Sequence, residues 1–332
     1  MPPASDTRVS RLLDGLAAGD RSAVSEALNL VDDRRPEERE LAFELLDALA
    51  QSPSTDSVQR VGMTGAPGAG KSSLLDALVG RLRKDGSGIG VIAVDPSSQR
   101  SGGALLGDRM RLGASAREQG VFLRSMAARD RLGGLADATQ ASATVLSAVY
   151  DWVFIETVGV GQSECDVANL VDTLVFVAQP GAGDMLQFMK AGILELPDVF
   201  VVNKADIGPV AERTRVELIA GLSLGEPAGS DGWQAPVLLT SARDRVGIDE
   251  LATALTAHRE HMQQTGGWEK RRAQAGTAFV LESLRARHGE YGLDRVGGTA
   301  KLRRRIEDAV NRSPFRLVLD LSHEIEDALR KS

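Results

Sequence analysis

Cysteine occurs once in the 332 residues, at Cys165. A single thiol excludes an internal disulfide and a zinc site built on cysteines. Histidine is nearly as scarce, at His258, His261, His288 and His323, which leaves little for a His-rich metal store. His258 and His261 lie three apart on an expected helix, where they could form an exposed polar face or a metal pair. No apolar run approaches ~20 residues, so no transmembrane helix is expected. The opening Met1-Pro2-Pro3-Ala4-Ser5-Asp6 lacks the basic-then-apolar plan of a signal peptide. A cytoplasmic protein is the expectation. Positive charge is in deficit, with Lys+Arg 39 against Asp+Glu 46 and a net charge of −7. An acidic chain has no general attraction to nucleic acid or an anionic membrane, and neither is expected as a partner. Any phosphate must be held by local geometry.

Glycine, by contrast, is placed with purpose. Gly65, Ala66, Pro67, Gly68, Ala69, Gly70, Lys71 and Ser72 read G-x-x-x-x-G-K-S. An apolar run at 58–64 precedes them, and apolar residues at helical spacing follow. Strand, glycine-rich turn and helix start would aim a row of backbone N–H groups at one point, which a nucleotide's phosphates fill. Lys71 would reach the β- and γ-phosphates and the Ser72 hydroxyl would ligate Mg²⁺. Ser73 counts with the same nucleotide-binding loop.

Short, β-branched apolar runs at 58–64, 89–94, 121–124, 152–156, 173–178, 198–202 and 236–240 alternate with helical patterns at 72–84, 137–150, 184–195, 209–222 and 247–262. The pattern predicts an α/β fold with a doubly wound, mostly parallel sheet. Ligand is expected at the carboxyl ends of the strands. Residues 1–52 read as an N-terminal helical segment, 53–263 as the P-loop core and 264–332 as a helical C-terminal arm, with helices at 268–288, 300–312 and 322–331. Such an arm packs on the core or on a second subunit.

Four further segments carry candidate chemistry. Asn203-Lys204-Ala205-Asp206 matches the guanine-reading N-K-x-D element. Asp206 would accept from guanine N1–H and N2–H₂ together, a donor pair that adenine lacks, so the wrong base leaves buried polar atoms unpaired. Asn203 would orient the loop, the Lys204 stem would cover the ring, and Ser241-Ala242 stand where a supporting guanine loop belongs. The strand 152–156 ends on Glu156 rather than the usual Asp, a carboxylate placed to hold Mg²⁺ through water. The Gly159 N–H would contact the γ-phosphate. Val160 stands where many GTPases place a water-orienting glutamine, and Gln162 lies two residues on; slow intrinsic hydrolysis follows. Asp95 and Asp108 are candidates for the Mg²⁺ shell, or else turn and cap residues. Lys71, Asp108, Glu156 and Gly159 form the expected catalytic set, and Ser72, Asp95, Asp108 and Glu156 the metal set. Gly181-Ala182-Gly183-Asp184 is a hinge at the ligand edge, or a βα turn capped by Asp184.

Taken together, Gly65 to Ser72, Val94 to Ser98, Ser101 to Gly103, Leu106 to Asp108, Leu132 to Leu135, Glu156 to Glu164, Pro180 to Asp184 and Asn203 to Asp206 resemble the MeaB/MMAA-type G-protein chaperones of adenosylcobalamin-dependent acyl-CoA mutases. The resemblance spans residues 10–275. It implies a GTPase of the metallochaperone-related branch, using GTP/GDP and Mg²⁺, homodimeric through its C-terminal arm. It implies a mutase partner acting on methylmalonyl-, isobutyryl-, ethylmalonyl- or 2-hydroxyisobutyryl-CoA, whose cofactor loading the chaperone gates. It also implies that Asp95 to Asp108 and Glu156 to Glu164 are switches, and that Gln162, Asp184, Gln187 and Lys190 couple nucleotide to mutase. Two other classes share parts of the pattern. A small-molecule or protein kinase, or a transport-linked ATPase, would prefer ATP. A nickel metallochaperone GTPase would need a Cys/His site near the switches.

Overall fold

The computed structural model describes residues 4–33, 35–52, 55, 57–96, 118–128, 134–157, 167–181, 195–223, 232–309 and 312–331. The chain divides into two compact units, one of residues 59–128 and 151–270, the other of residues 1–58, 129–150 and 271–332.

The first unit is built on seven strands: β1 Gln59–Thr64, β2 Ile89–Pro96, β3 Val121–Ala128, β4 Trp152–Glu156, β5 Thr173–Ala178, β6 Val199–Val202 and β7 Val237–Leu239. They form one sheet in the order β3-β2-β4-β1-β5-β6-β7, and every pairing is parallel. A parallel sheet needs crossovers that cover both faces, so its strands must be apolar on both sides. β4, β5 and β6 are buried at every position. The pleat sorts their side chains. Val175, Val177, Val199 and Val201 point into one core with Leu74, Leu75 and Leu78 of helix α4 (Lys71–Lys84) and with Leu251 and Leu255 of Ile248–Thr265. Phe176, Phe200 and Val202 point the other way, onto Ala211 and Leu218 of Pro209–Ser223. Each such Leu or Phe contributes about 1.5–3 kcal/mol when fully buried. β3 runs four residues beyond its apolar start, because pairing with β2 continues through Pro96↔Ala128.

At the amino ends of the strands, polar residues form a buried clamp. The Thr173 hydroxyl lies 2.8 Å from His258 Nδ1, and His258 Nε2 lies 3.4 Å from Asp198 Oδ1. Gln59 Nε2 donates to Thr173 Oγ1 at 2.8 Å and to the Leu255 carbonyl at 3.0 Å. Asp198 Oδ2 accepts from the Leu174 amide at 2.7 Å. His258 is 1% exposed and packs edge-on against Trp233. It is therefore a buried hydrogen-bonded residue, neither part of an exposed polar face nor half of a metal pair.

The second unit is helical: α1 Ala4–Ala17, α2 Arg21–Asp32, α3 Pro36–Ala50, α5 Gly134–Ser147, and, numbering α6 (Pro209–Ser223) and α7 (Ile248–Thr265) in the first unit, most of α8 Gly267–Arg295, then α9 Gly298–Asp308 and α10 Pro314–Arg330. Leu12, Leu16, Val24, Leu28, Leu45 and Leu49 are among its buried residues, matching the apolar spacing of the first fifty positions. Asp20 caps α2 by accepting from the Ser22 amide at 2.8 Å. α8 breaks at Gly289, whose φ of 65° and ψ of 178° lie outside helical values. The last helix starts at Pro314 rather than near 322. Proline is tolerated at the first helical position because its missing N–H has no helical partner anyway, and Ser313 caps the turn by accepting from the Arg316 amide at 3.2 Å.

Candidate functional site

The loop between β1 and α4 is shaped by two glycines that no other residue could replace without strain. Gly65 has φ 135°, and a Cβ there would lie 2.1 Å from the Val177 carbonyl oxygen of β5. Gly70, the residue before α4, has φ 87°, and its Cβ would meet Asn203 Nδ2 at 2.6 Å. Left-handed φ values are nearly free only to glycine, so the spacing of the motif follows from backbone geometry. Gly68 also has positive φ. Inside the loop Lys71 is buried, and its Nζ donates to the Gly65 carbonyl at 2.8 Å and the Ala66 carbonyl at 3.1 Å. Pro67 and Gly68 form the exposed crest, and Ala69 is buried beneath it.

One residue into α4, Ser72 Oγ donates to Glu156 Oε1 at 2.5 Å. Glu156 closes β4 between the ends of β1 and β2, paired with Met63 and Ala93. Asp95 lies two residues past Ala93 on β2; its side chain is not among those described. Thr157, next after Glu156, is tied to β1 by its amide, 3.1 Å from the Met63 carbonyl. Ser73, also in the first turn of α4, is exposed.

The β6 end approaches the same loop. Asn203 is 1% exposed. Its Nδ2 donates to the Ala69 carbonyl at 3.0 Å and the Gly70 carbonyl at 3.3 Å. Its Oδ1 accepts from Thr240 Oγ1 at 3.2 Å and the Ala242 amide at 3.3 Å. Lys204 follows with φ 61°, a left-handed conformation unusual for a side chain that has a Cβ. It sets up the short turn Ala205–Ile207. Asp206 Oδ1 accepts from Ser241 Oγ at 2.9 Å, and Ala205 donates its amide to the Thr240 carbonyl at 2.8 Å. The expected residues Gly65 to Ser72, Glu156, Asn203, Lys204, Asp206, Ser241 and Ala242 thus share the carboxyl end of the sheet. Asp108, Gly159, Gln162, Asp184, Gln187 and Lys190 lie outside the described residues, as does Cys165.

Two residues of this cluster carry no motif that marks them in the sequence. Thr240 is fully buried and holds Asn203; its position directly after β7 and before Ser241 is the available signal. Arg243, next after Ala242, reaches Asp206 Oδ2 with Nη1 at 3.6 Å. The oxygens of Ser72 and Glu156 are the hard donor type that Mg²⁺ prefers, and that ion needs few protein ligands because it keeps several waters. The donor set fits the ion.

A seven-stranded parallel sheet, a glycine-shaped loop wrapped around a lysine, and a serine-carboxylate pair at the adjoining strand end define a P-loop nucleotide hydrolase. The chain matches the family described as Methylmalonyl Co-A mutase-associated GTPase MeaB over residues 24–288, and it belongs to that family; it is a GTPase. A Pyrococcus abyssi protein that carries the name GTPase is 43% identical over 266 residues, 80% of each chain. The mouse protein named methylmalonic aciduria type A homolog, mitochondrial, is 36% identical over 270 residues, 78% of this chain and 65% of its own. A crystal structure of a protein named LAO/AO transport system kinase superposes with a TM-score of 0.68 at 28% identity, covering 96% of this chain and 98% of that one.

Proposed function

We propose that this GTPase is a guanine-nucleotide switch that gates cofactor loading into, and protects, an adenosylcobalamin-dependent acyl-CoA mutase. The observation that carries the nucleotide part is the set of Asn203 contacts. One side chain ties the phosphate loop, through the Ala69 and Gly70 carbonyls, to the Thr240 to Ala242 turn that holds Asp206. Phosphate grip and base recognition are therefore mechanically linked. In this reading the Lys71 ammonium leaves the loop carbonyls for the β- and γ-phosphates, and the backbone N–H groups from Gly68 to Ser73 donate to the phosphate oxygens. Ser72, Glu156 and, by position, Asp95 and Asp108 would hold Mg²⁺, which supplies charge neutralisation at the transferring phosphoryl group. Asp206 selects guanine, Asn203 and Ala242 orient the pocket, and Gly159 contacts the γ-phosphate. Val160 leaves the attacking water without its usual glutamine partner, so intrinsic turnover is slow and a partner completes the site.

The mutase part rests on the family name and on the mouse relative's name. Asp184, Gln187 and Lys190 are its proposed coupling residues, and the arm 264–332 its proposed homodimer contact. Calorimetry with GDP and a non-cleavable GTP analogue in Mg²⁺ tests the pocket, and absence of heat refutes it. Capture of the mutase from a cobalamin-using cell, dependent on the nucleotide present, tests the partner. A transport-linked kinase reading is favoured by one observation, the superposition on the protein named LAO/AO transport system kinase. Tighter binding of ATP than GTP would establish it over the first.

A further inference from the structure

Both oxygens of the Asp206 carboxylate are engaged. Oδ1 accepts from the Ser241 hydroxyl at 2.9 Å, and Oδ2 faces Arg243 Nη1 at 3.6 Å. The two contacts differ in kind. The first has hydrogen-bond length; the second is an ion pair too long to be one. The Asp206 side chain is 19% exposed and that of Arg243 82%, so one partner is anchored while the other can swing into solvent. The turn that carries Arg243 is itself fixed. Ser241 and Val246 exchange backbone bonds at 2.9 and 3.1 Å, the Asp244 amide donates to Ser241 Oγ at 3.1 Å, and Arg245 takes a left-handed φ of 58°. Asp244 Oδ1 lies 3.8 Å from Arg243 Nε. The arginine therefore emerges beside the carboxylate from a rigid base.

The two competitors share a donor pattern and differ in charge. Guanine presents N1–H and N2–H₂ side by side in one plane; a guanidinium presents the same parallel pair of N–H donors in one plane. We propose that Arg243 pairs with Asp206 on the side that the guanine edge would take, and that incoming guanine displaces it, so Arg243 sets nucleotide affinity by competition. This rests on the base-reading role of Asp206 proposed above. The arginine keeps the carboxylate compensated until guanine arrives and weakens guanine binding by the strength of an exposed ion pair, at most about fivefold.

The sign of the effect is diagnostic. By general electrostatics, deleting a cation near a bound polyanion weakens binding; displacement predicts the reverse. Arg243→Gln, Arg243→Lys and the parent chain are compared by calorimetry with GDP and with ADP, at low and high salt. The expected result is GDP binding about two- to fivefold tighter in Arg243→Gln, an intermediate value for Arg243→Lys, no gain for ADP, and a gap that closes as salt screens the pair. Equal or weaker GDP binding by Arg243→Gln overturns the proposal, as does an equal gain for ADP. Asp206→Asn separates the two readings. If it leaves guanine selectivity intact, the base-reading role falls; if it abolishes selectivity while Arg243→Gln binds no tighter, only the competition falls. The Arg243 side chain is 82% exposed, so its variants fold.

Discussion

Replacing Asn203 by Ala tests the brace between the Gly65–Ser72 loop and the turn at Thr240 to Ala242 without any nucleotide present. The side chain is 1% exposed and makes four contacts, two donated to the Ala69 and Gly70 carbonyls and two accepted from Thr240 Oγ1 and the Ala242 amide. A neutral hydrogen bond contributes about 1 kcal/mol net, and a buried group left unpaired costs about 1–3 kcal/mol. The contacts at 3.3 Å are near the long end of the range, and water can enter from the loop side to satisfy some orphaned groups. The expected loss is therefore about 2–4 kcal/mol rather than the sum of four full penalties. For a unit of this size each kcal/mol shifts Tm by about 2–4 °C, so the nucleotide-free protein should melt roughly 4–16 °C lower. Differential scanning calorimetry of the apo protein reads this directly. A fall below about 2 °C would refute the claim that Asn203 braces the loop. Asn203→Asp keeps the size but replaces the donor that serves the two carbonyls with a carboxylate, and should be at least as damaging.

Lys71→Ala should abolish GTP hydrolysis, measured as phosphate release, because the phosphates lose their cationic clamp; wild-type turnover would remove Lys71 from the site. Gly65→Ala forces a Cβ onto the Val177 carbonyl oxygen and should prevent nucleotide binding or soluble expression; normal GDP affinity would contradict the loop geometry. His258→Leu strips Thr173 and Asp198 of a buried partner, with an expected cost of about 2–4 kcal/mol in thermal unfolding. The pH dependence has a definite sign at His288, whose pKa is held below the usual imidazole range by burial, with Arg287 adding to the effect and Glu326 opposing it. The unfolded chain then binds more protons, so His288 contributes stability above its unfolded pKa near 6.5 and loses it as pH falls through the folded value. On acidification from about pH 7.5 to about pH 5.5, the parent chain should lose more Tm than His288→Gln; equal losses would reject the assignment.

The strand-helix alternation is legible because parallel strands buried on both faces must be continuous apolar runs, and runs such as Trp152 to Glu156 and Thr173 to Ala178 need no partner to be recognised. The phosphate loop is equally plain, since Gly65 and Gly70 answer local backbone demands that depend on few neighbours. The last helix begins earlier than its apolar spacing predicts because Ser313-Pro314 reads as a break, although the same pair caps and starts a helix. His258 departs from expectation for a different reason: a lone histidine at helical spacing says nothing of Thr173 and Asp198, which reach it from 85 residues away in one case and from another strand end in the other. The contacts of Thr240 and Arg243 escape the sequence for the same cause.

Amino-acid order alone therefore marked the described strands, most of the described helices and the G-x-x-x-x-G-K-S and N-K-x-D motifs, whose signals depend on neighbours within a few residues. Folding decided which of those motifs touch: that Ser72 meets Glu156, that Asn203 braces the loop, and that an arginine faces the Asp206 carboxylate. Such contacts join segments far apart in the chain, and their existence depends on strand order and register, which local composition does not encode.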